Sequence, residues 1–115
     1  MIAFVGAVAG FLAVALGAFG AHALGDSISD KAAGWWETAT LYLLVHAALA
    51  TALSATNPEK FGVAAAILLA GAVLFAATLY AMALGAPRWF GAITPIGGLG
   101  MLAGWAMIAW AALKA

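Results

Sequence analysis

The chain has 115 residues, 68% of them hydrophobic and 7% charged, with four basic and four acidic side chains and no net charge. A soluble domain carries roughly 45–50% apolar and about 25% charged residues, so the ordinary soluble class is excluded. The balanced charge offers no basic patch for nucleic acid, and the absence of cysteine rules out disulfides and thiolate metal sites.

Asp26, Asp30, Lys31, Glu37, Glu59, Lys60, Arg88 and Lys114 divide the sequence into four uncharged stretches, 1–25, 38–58, 61–87 and 89–113. Each reaches the about 20 apolar residues that a helix needs to cross a hydrocarbon core. Membrane strands alternate apolar and polar residues, whereas these runs are apolar throughout and rich in Ala, Leu and Gly. A helix also closes its own backbone hydrogen bonds, which lipid demands. The expected fold is an all-α membrane protein, four transmembrane helices in an antiparallel up-down-up-down bundle, as a single domain over 1–115.

Helix one is expected over about 2–24, stopped by Gly25 in the left-handed position that follows many helices. Ala21-His22-Ala23 has the small-x-small form of a signal-peptide cleavage site. The run before it lacks a basic start and exceeds a usual h-region, so it reads as a retained first helix. Ser29 is suited to cap helix two, expected over about 35–56, with Trp35 and Trp36 at the membrane interface. Asn57-Pro58 supplies an N-cap and a first-position proline for helix three, about 58–84. After an interfacial connection containing Pro87, Arg88 and Trp89, Thr94-Pro95 repeats that start for helix four, about 95–113.

Short loops make sequential helices antiparallel neighbours. Lys60 and Lys114 then share the side of the N-terminus while Lys31 and Arg88 lie opposite, a tie under the positive-inside rule. The expectation is a multi-pass protein of the plasma (inner) membrane with cytoplasmic termini.

On a helical wheel, Gly6, Gly10, Ala13, Gly17, Gly20 and Ala21 form one small-residue seam on helix one. Gly97, Gly100, Gly104 and Ala111 form another on helix four, and helix three contributes Gly62, Ala66, Ala76 and Ala77. Seams of this kind allow close packing inside one bundle or a homo-oligomer interface.

Ionisable and polar residues at membrane depth are candidates for function. Thr38, Tyr42 and His46 are spaced four apart and share a face with Trp35, a polar stripe that runs inward to His46 near mid-membrane. His22 lies near the end of helix one and points away from the glycine seam. The first reading of His46 and Tyr42 is as neutral hydrogen-bonding groups between helices. Proton or substrate handling comes second, and metal or haem ligation third. Ligation is disfavoured because a catalytic metal site uses three or more ligands and only Glu37 adds to the two histidines. Their different depths also oppose axial haem ligation. With no Ser-His-Asp set, phosphate loop or carboxylate pair, neither an enzyme nor a cofactor is expected.

Several words of the sequence are distinctive. Gly17-Ala18-Phe19-Gly20-Ala21-His22-Ala23-Leu24, then Glu37-Thr38-Ala39 with Tyr42 and His46, Leu79-Tyr80, and Thr94-Pro95-Ile96-Gly97-Gly98 followed by Gly104-Trp105 resemble the domain-of-unknown-function 423 family. That family of small bacterial membrane proteins is similar to the eukaryotic transmembrane protein 256. The resemblance covers nearly the whole chain, with one departure: Phe75-Ala76-Ala77-Thr78 stands where the family usually has Phe-Ser-Gly-Ser. It implies a four-helix membrane protein with cytoplasmic termini and supplies no activity, substrate or cofactor.

The matched words direct attention to one membrane face, where His22, Glu37, Thr38, Tyr80 and Thr94 gather and from which Tyr42 and His46 lead inward. There Thr94 and the free N–H groups opening helix four are expected to bind an anion or a lipid headgroup. The leading functional expectation is a noncatalytic protein that binds lipid or partner membrane proteins, with a homo-oligomer among the options. Its alternatives are an oligomeric transporter or channel using His46 and Tyr42, and haem or metal binding through His22 and His46.

Overall fold

Hydrocarbon offers backbone groups no water, so the uncharged stretches close their hydrogen bonds internally as helices. The computed structural model describes residues 1–114. Its helices are α1 (Ile2–Phe19), α2 (Asp30–Thr56), α3 (Pro58–Ala83) and α4 (Thr94–Leu113). A π-helical turn, Gly20–Leu24, and a 3-10 turn, Gly25–Ser27, extend α1, and a second 3-10 turn, Arg88–Ala92, leads into α4. With these turns all four spans are long and apolar enough to cross a membrane, and the described residues contain no strand.

Three boundaries differ from the sequence expectation. Helix one is α-helical only to Phe19, and its last turn widens to π geometry before Gly25 takes a positive φ of 43°. Helix two begins at Asp30 rather than near 35, because Ser29 Oγ accepts the Ala32 N–H at 3.1 Å and so fixes the start ahead of the apolar run. Its 27 residues measure about 40 Å, longer than the about 30 Å hydrocarbon core, enough for its charged first turn to stand outside the core. At helix four, Ile93 occupies the cap position and Thr94 lies inside the first turn, making no capping bond. Asn57 does cap α3, its Oδ1 accepting the Lys60 N–H at 3.2 Å, with Pro58 in the first turn.

The helices pack in chain order, α1 on α2, α2 on α3 and α3 on α4, with α1 only grazing α3. The α3 span is therefore 50% buried, against 17% for the spans containing α1 and α4, which form the outer flanks.

Glycine sets how closely these pairs approach. A Cβ on Gly71 would lie 2.6 Å from the Met101 backbone nitrogen and 2.7 Å from the Gly97 carbonyl oxygen, so α3 and α4 touch backbone to backbone. Gly100 and Gly104 continue that contact against Gly71 and Leu68. On α1, a Cβ on Gly6 would strike the Thr51 hydroxyl and one on Gly20 the Trp36 indole, while one on Gly17 would sit 3.0 Å from Thr40 Cγ2. Gly10 makes only ordinary contact with Ala47. Gly71, absent from the expected seam of helix three, is its critical glycine, whereas Gly62 faces open space and Ala77 is exposed.

Gly71→Ala should therefore destabilise the fold by about 2 kcal/mol or more, because the neighbouring backbone atoms have no rotamer to move into. Gly62→Ala should be neutral or stabilising by up to about 1 kcal/mol, the usual helix preference for alanine. Thermal or denaturant unfolding in mild detergent compares the two.

Candidate functional site

Several polar side chains within the spans form bonds from one helix to another. Trp36, in the second turn of α2, is buried over Gly20 and its Nε1–H donates to the Leu16 carbonyl at 2.7 Å, tying α2 to α1. Its ring meets the Tyr80 ring edge-on, with centroids 4.5 Å apart. The Tyr80 hydroxyl in turn pairs with Thr40 Oγ1 at 2.6 Å, tying α3 to α2. Between α3 and α4, the Thr78 and Thr94 hydroxyls pair at 2.7 Å, and each also reaches carbonyls of its own segment.

His46 supplies the fourth link. The indole nitrogen of Trp105 has only a hydrogen to offer, and it donates to His46 Nε2 at 3.0 Å. Nε2 therefore accepts, which leaves the hydrogen on Nδ1, and Nδ1–H donates to the Tyr42 carbonyl at 2.6 Å. One neutral tautomer satisfies both nitrogens. With its Nε2 lone pair held by Trp105, His46 can take up a proton or a metal there only by breaking the bond between α2 and α4. Among the described residues no three histidine or carboxylate side chains converge as metal ligands.

The residues singled out in the sequence thus separate into two groups. Tyr80, Thr94 and His46 lie inside the inter-helix network. His22 is exposed in the π-helical turn, and Glu37 and Thr38 are exposed on α2. Tyr42 is 40% exposed, its ring parallel to that of His46 and tilted against that of Phe75. The stripe of Thr38, Tyr42 and His46 consequently does not run inward along its whole length, since only His46 is buried. Thr94 spends its hydroxyl on Thr78 and Phe90, so it is not the free anion-binding group expected at the start of helix four.

Trp36, Thr40, Thr78 and Trp105 take part in the network and were not among the expected site residues. For Trp36 a signal did exist: Ala32, Trp36, Ala39, Leu43, Ala47 and Ala50 recur at three- and four-residue spacing and are all buried. The inward face of α2 was written in alanine, with Trp36 on it. One buried side-chain polar atom among the described residues, Ser54 Oγ, has no partner.

At the membrane face the pairing of α1 and α2 leaves a cleft of about 360 Å³, lined by Gly17, Gly20, Ala21, Leu41 and others, with Glu37 on its wall. The cleft exists because these glycines and alanines project almost nothing into it.

Comparison with known proteins places this architecture. Residues 16–98 match the family described as "Protein of unknown function (DUF423)". The chain is similar to a UPF0382 membrane protein of Staphylococcus epidermidis, 41% identical over 95% of this chain and 92% of that protein. It is also similar to a UPF0382 membrane protein of Haemophilus influenzae, 42% identical over 94% and 90% of the two chains. The UPF0382 inner membrane protein YgdD of Escherichia coli is 35% identical over 94% and 86%. No solved structure matches.

The bond between His46 and Trp105 is measurable as a coupling. In a double-mutant cycle of His46→Ala and Trp105→Phe, the expected coupling energy is about 0.6–1.7 kcal/mol, the range for hydrogen bonds between membrane helices. Additive losses in detergent unfolding would show that the two side chains do not bond.

Proposed function

We propose a noncatalytic binding role for this chain, which belongs to the DUF423 family of membrane proteins. It holds lipid or a partner membrane protein on its outer surfaces. The observation that carries this reading is the use of polar groups between helices: Trp36, Thr40, Tyr80, His46, Trp105, Thr78 and Thr94 are spent on inter-helix bonds. No nucleophile-and-base pair is left among them, whereas the flanks of α1 and α4 present large apolar side chains outward, among them Phe4, Phe11, Leu99 and Leu102.

Transport through Tyr42 and His46 has less support, because the imidazole already has both nitrogens engaged. Joint ligation by His22 and His46 has little support too, with one in an exposed turn at the membrane face and the other buried midway along α2. Relatives named as inner membrane proteins support the same location here. Four spans put both termini on one side, which we assign to the cytoplasm.

One preparation tests role and orientation together: a carboxy-terminal fluorescent-protein fusion, which matures only in the cytoplasm, purified in mild detergent and weighed by native mass spectrometry. Fluorescence and a reproducibly retained lipid or protein are expected. A dark fusion reverses the orientation, and a bare monomer contradicts the binding role.

A further inference from the structure

Beside the close contact of α1 with α2, two grooves run along the surface of this helix pair. At the membrane face lies the cleft of about 360 Å³, in which Glu37 is the one charged lining residue. The other polar side chains on its wall are already committed, Thr40 to Tyr80 and Trp36 to the Leu16 carbonyl. No basic side chain lines it. Lys31 sits over the Trp35 ring at 5.6 Å and, with Arg88, borders a separate depression between α2 and the end of α3. Lys60 and Lys114 lie at the other membrane face, each over an aromatic ring of its own helix. Glu37, about 10 Å along α2 from its start, is thus an acidic side chain on the cleft wall with no basic residue beside it in the lining.

Toward mid-membrane a second groove follows. Leu44 lines both the cleft and this shallower groove of about 290 Å³, whose floor is made by Gly6, Gly10, Ala47 and neighbouring small residues. From Glu37 to Thr51 the track runs about 20 Å along α2 at about 1.5 Å per residue, more than the about 15 Å hydrocarbon depth of one leaflet. A small soluble amine would fill only the top. A carboxylate above a narrow apolar track is complementary to an ammonium joined to an acyl chain.

We propose that the groove beside the α1–α2 contact binds a phospholipid with a primary-ammonium headgroup, the ammonium paired with Glu37 and one acyl chain lying along Leu41, Leu44, Gly10 and Ala48. This site rests on the lipid-binding reading above and gives it a location and a headgroup chemistry. Anionic headgroups are disfavoured there by Glu37 itself. The site needs the glycines twice over, since Gly17 and Gly20 admit Thr40 and Trp36 on one side and leave room for the chain on the other.

The test uses the full-length protein in nonionic detergent, given equimolar phosphatidylethanolamine and phosphatidylglycerol of identical acyl chains, with dodecylammonium in a parallel arm. Native mass spectrometry reads the bound species. Wild type should retain the ethanolamine lipid at least about threefold over the glycerol lipid, the scale of one partly exposed charge pair. Glu37→Gln, an exposed position whose change leaves packing intact, should bring that ratio to about one by removing the same charge pair. Ala21→Trp, which fills the cleft from its exposed rim, should lower retention of both lipids. Equal retention by wild type, a preference that survives Glu37→Gln, or binding of dodecylammonium with no phospholipid would each overturn the site. If another lipid or a protein is retained regardless of Glu37, the site falls and the binding role stands; a bare monomer ends both.

Discussion

A polar group inside hydrocarbon has no solvent to bond, and an apolar side chain gains nothing by leaving lipid for a helix surface. Helices in a bilayer must therefore be held by close contact and by polar groups that find each other. This chain uses both means in different places. Between α3 and α4, Gly71 and Gly97 bring backbones together, giving dispersion contact over a long line. Elsewhere aromatic and hydroxyl side chains form the bridges, from Trp36 to the Leu16 carbonyl, from Tyr80 to Thr40 and from Trp105 to His46. The glycines and the bridges are linked, because Trp36 reaches the Leu16 carbonyl only where Gly20 leaves space for the indole.

The functional consequence follows from that closure. Of the candidate polar residues, Tyr80, Thr94 and His46 are engaged in holding helices while His22, Glu37 and Thr38 are exposed, and the two histidines illustrate the contrast. His46 is buried with both nitrogens bonded, while His22 is exposed in a short π-helical turn. What remains free is on the outside: apolar flanks, the polar rim at one membrane face, and the groove with Glu37 beside the α1–α2 contact. Binding chemistry at headgroup level suits such a surface better than chemistry at mid-membrane.

Local signals in the sequence carried the fold class and the tightest junction. Uncharged runs gave four spans, and Asn57-Pro58 marks a turn whose cap involves only neighbours three residues apart. Signals that depend on helix rotation were not legible. The alternation of polar residues on α2 could be read as a stripe through Thr38, Tyr42 and His46, yet the helix turns its alanine face, with Trp36, toward its neighbours. Gly62 and Gly71 look alike in sequence, and only the partner helix distinguishes them, since Gly97 meets one and nothing meets the other. Thr94-Pro95 resembles Asn57-Pro58, but the preceding 3-10 turn moves the cap back to Ile93 and releases the Thr94 hydroxyl to Thr78. The departure at 75–78 from the family's serine-rich word is intelligible in the same terms. Ala76 is buried in the core, and Thr78 provides the one hydroxyl that the contact with α4 uses.

Nitrogen-15 NMR of histidine-labelled protein in lipid nanodiscs tests the closed polar network most directly. His46 should show a single neutral tautomer with hydrogen on Nδ1 and none on Nε2, and Trp105→Phe should shift the Nε2 resonance. A His46 with hydrogen on Nε2, or spectra indifferent to Trp105→Phe, would mean that this imidazole is free for other chemistry and that the network does not close.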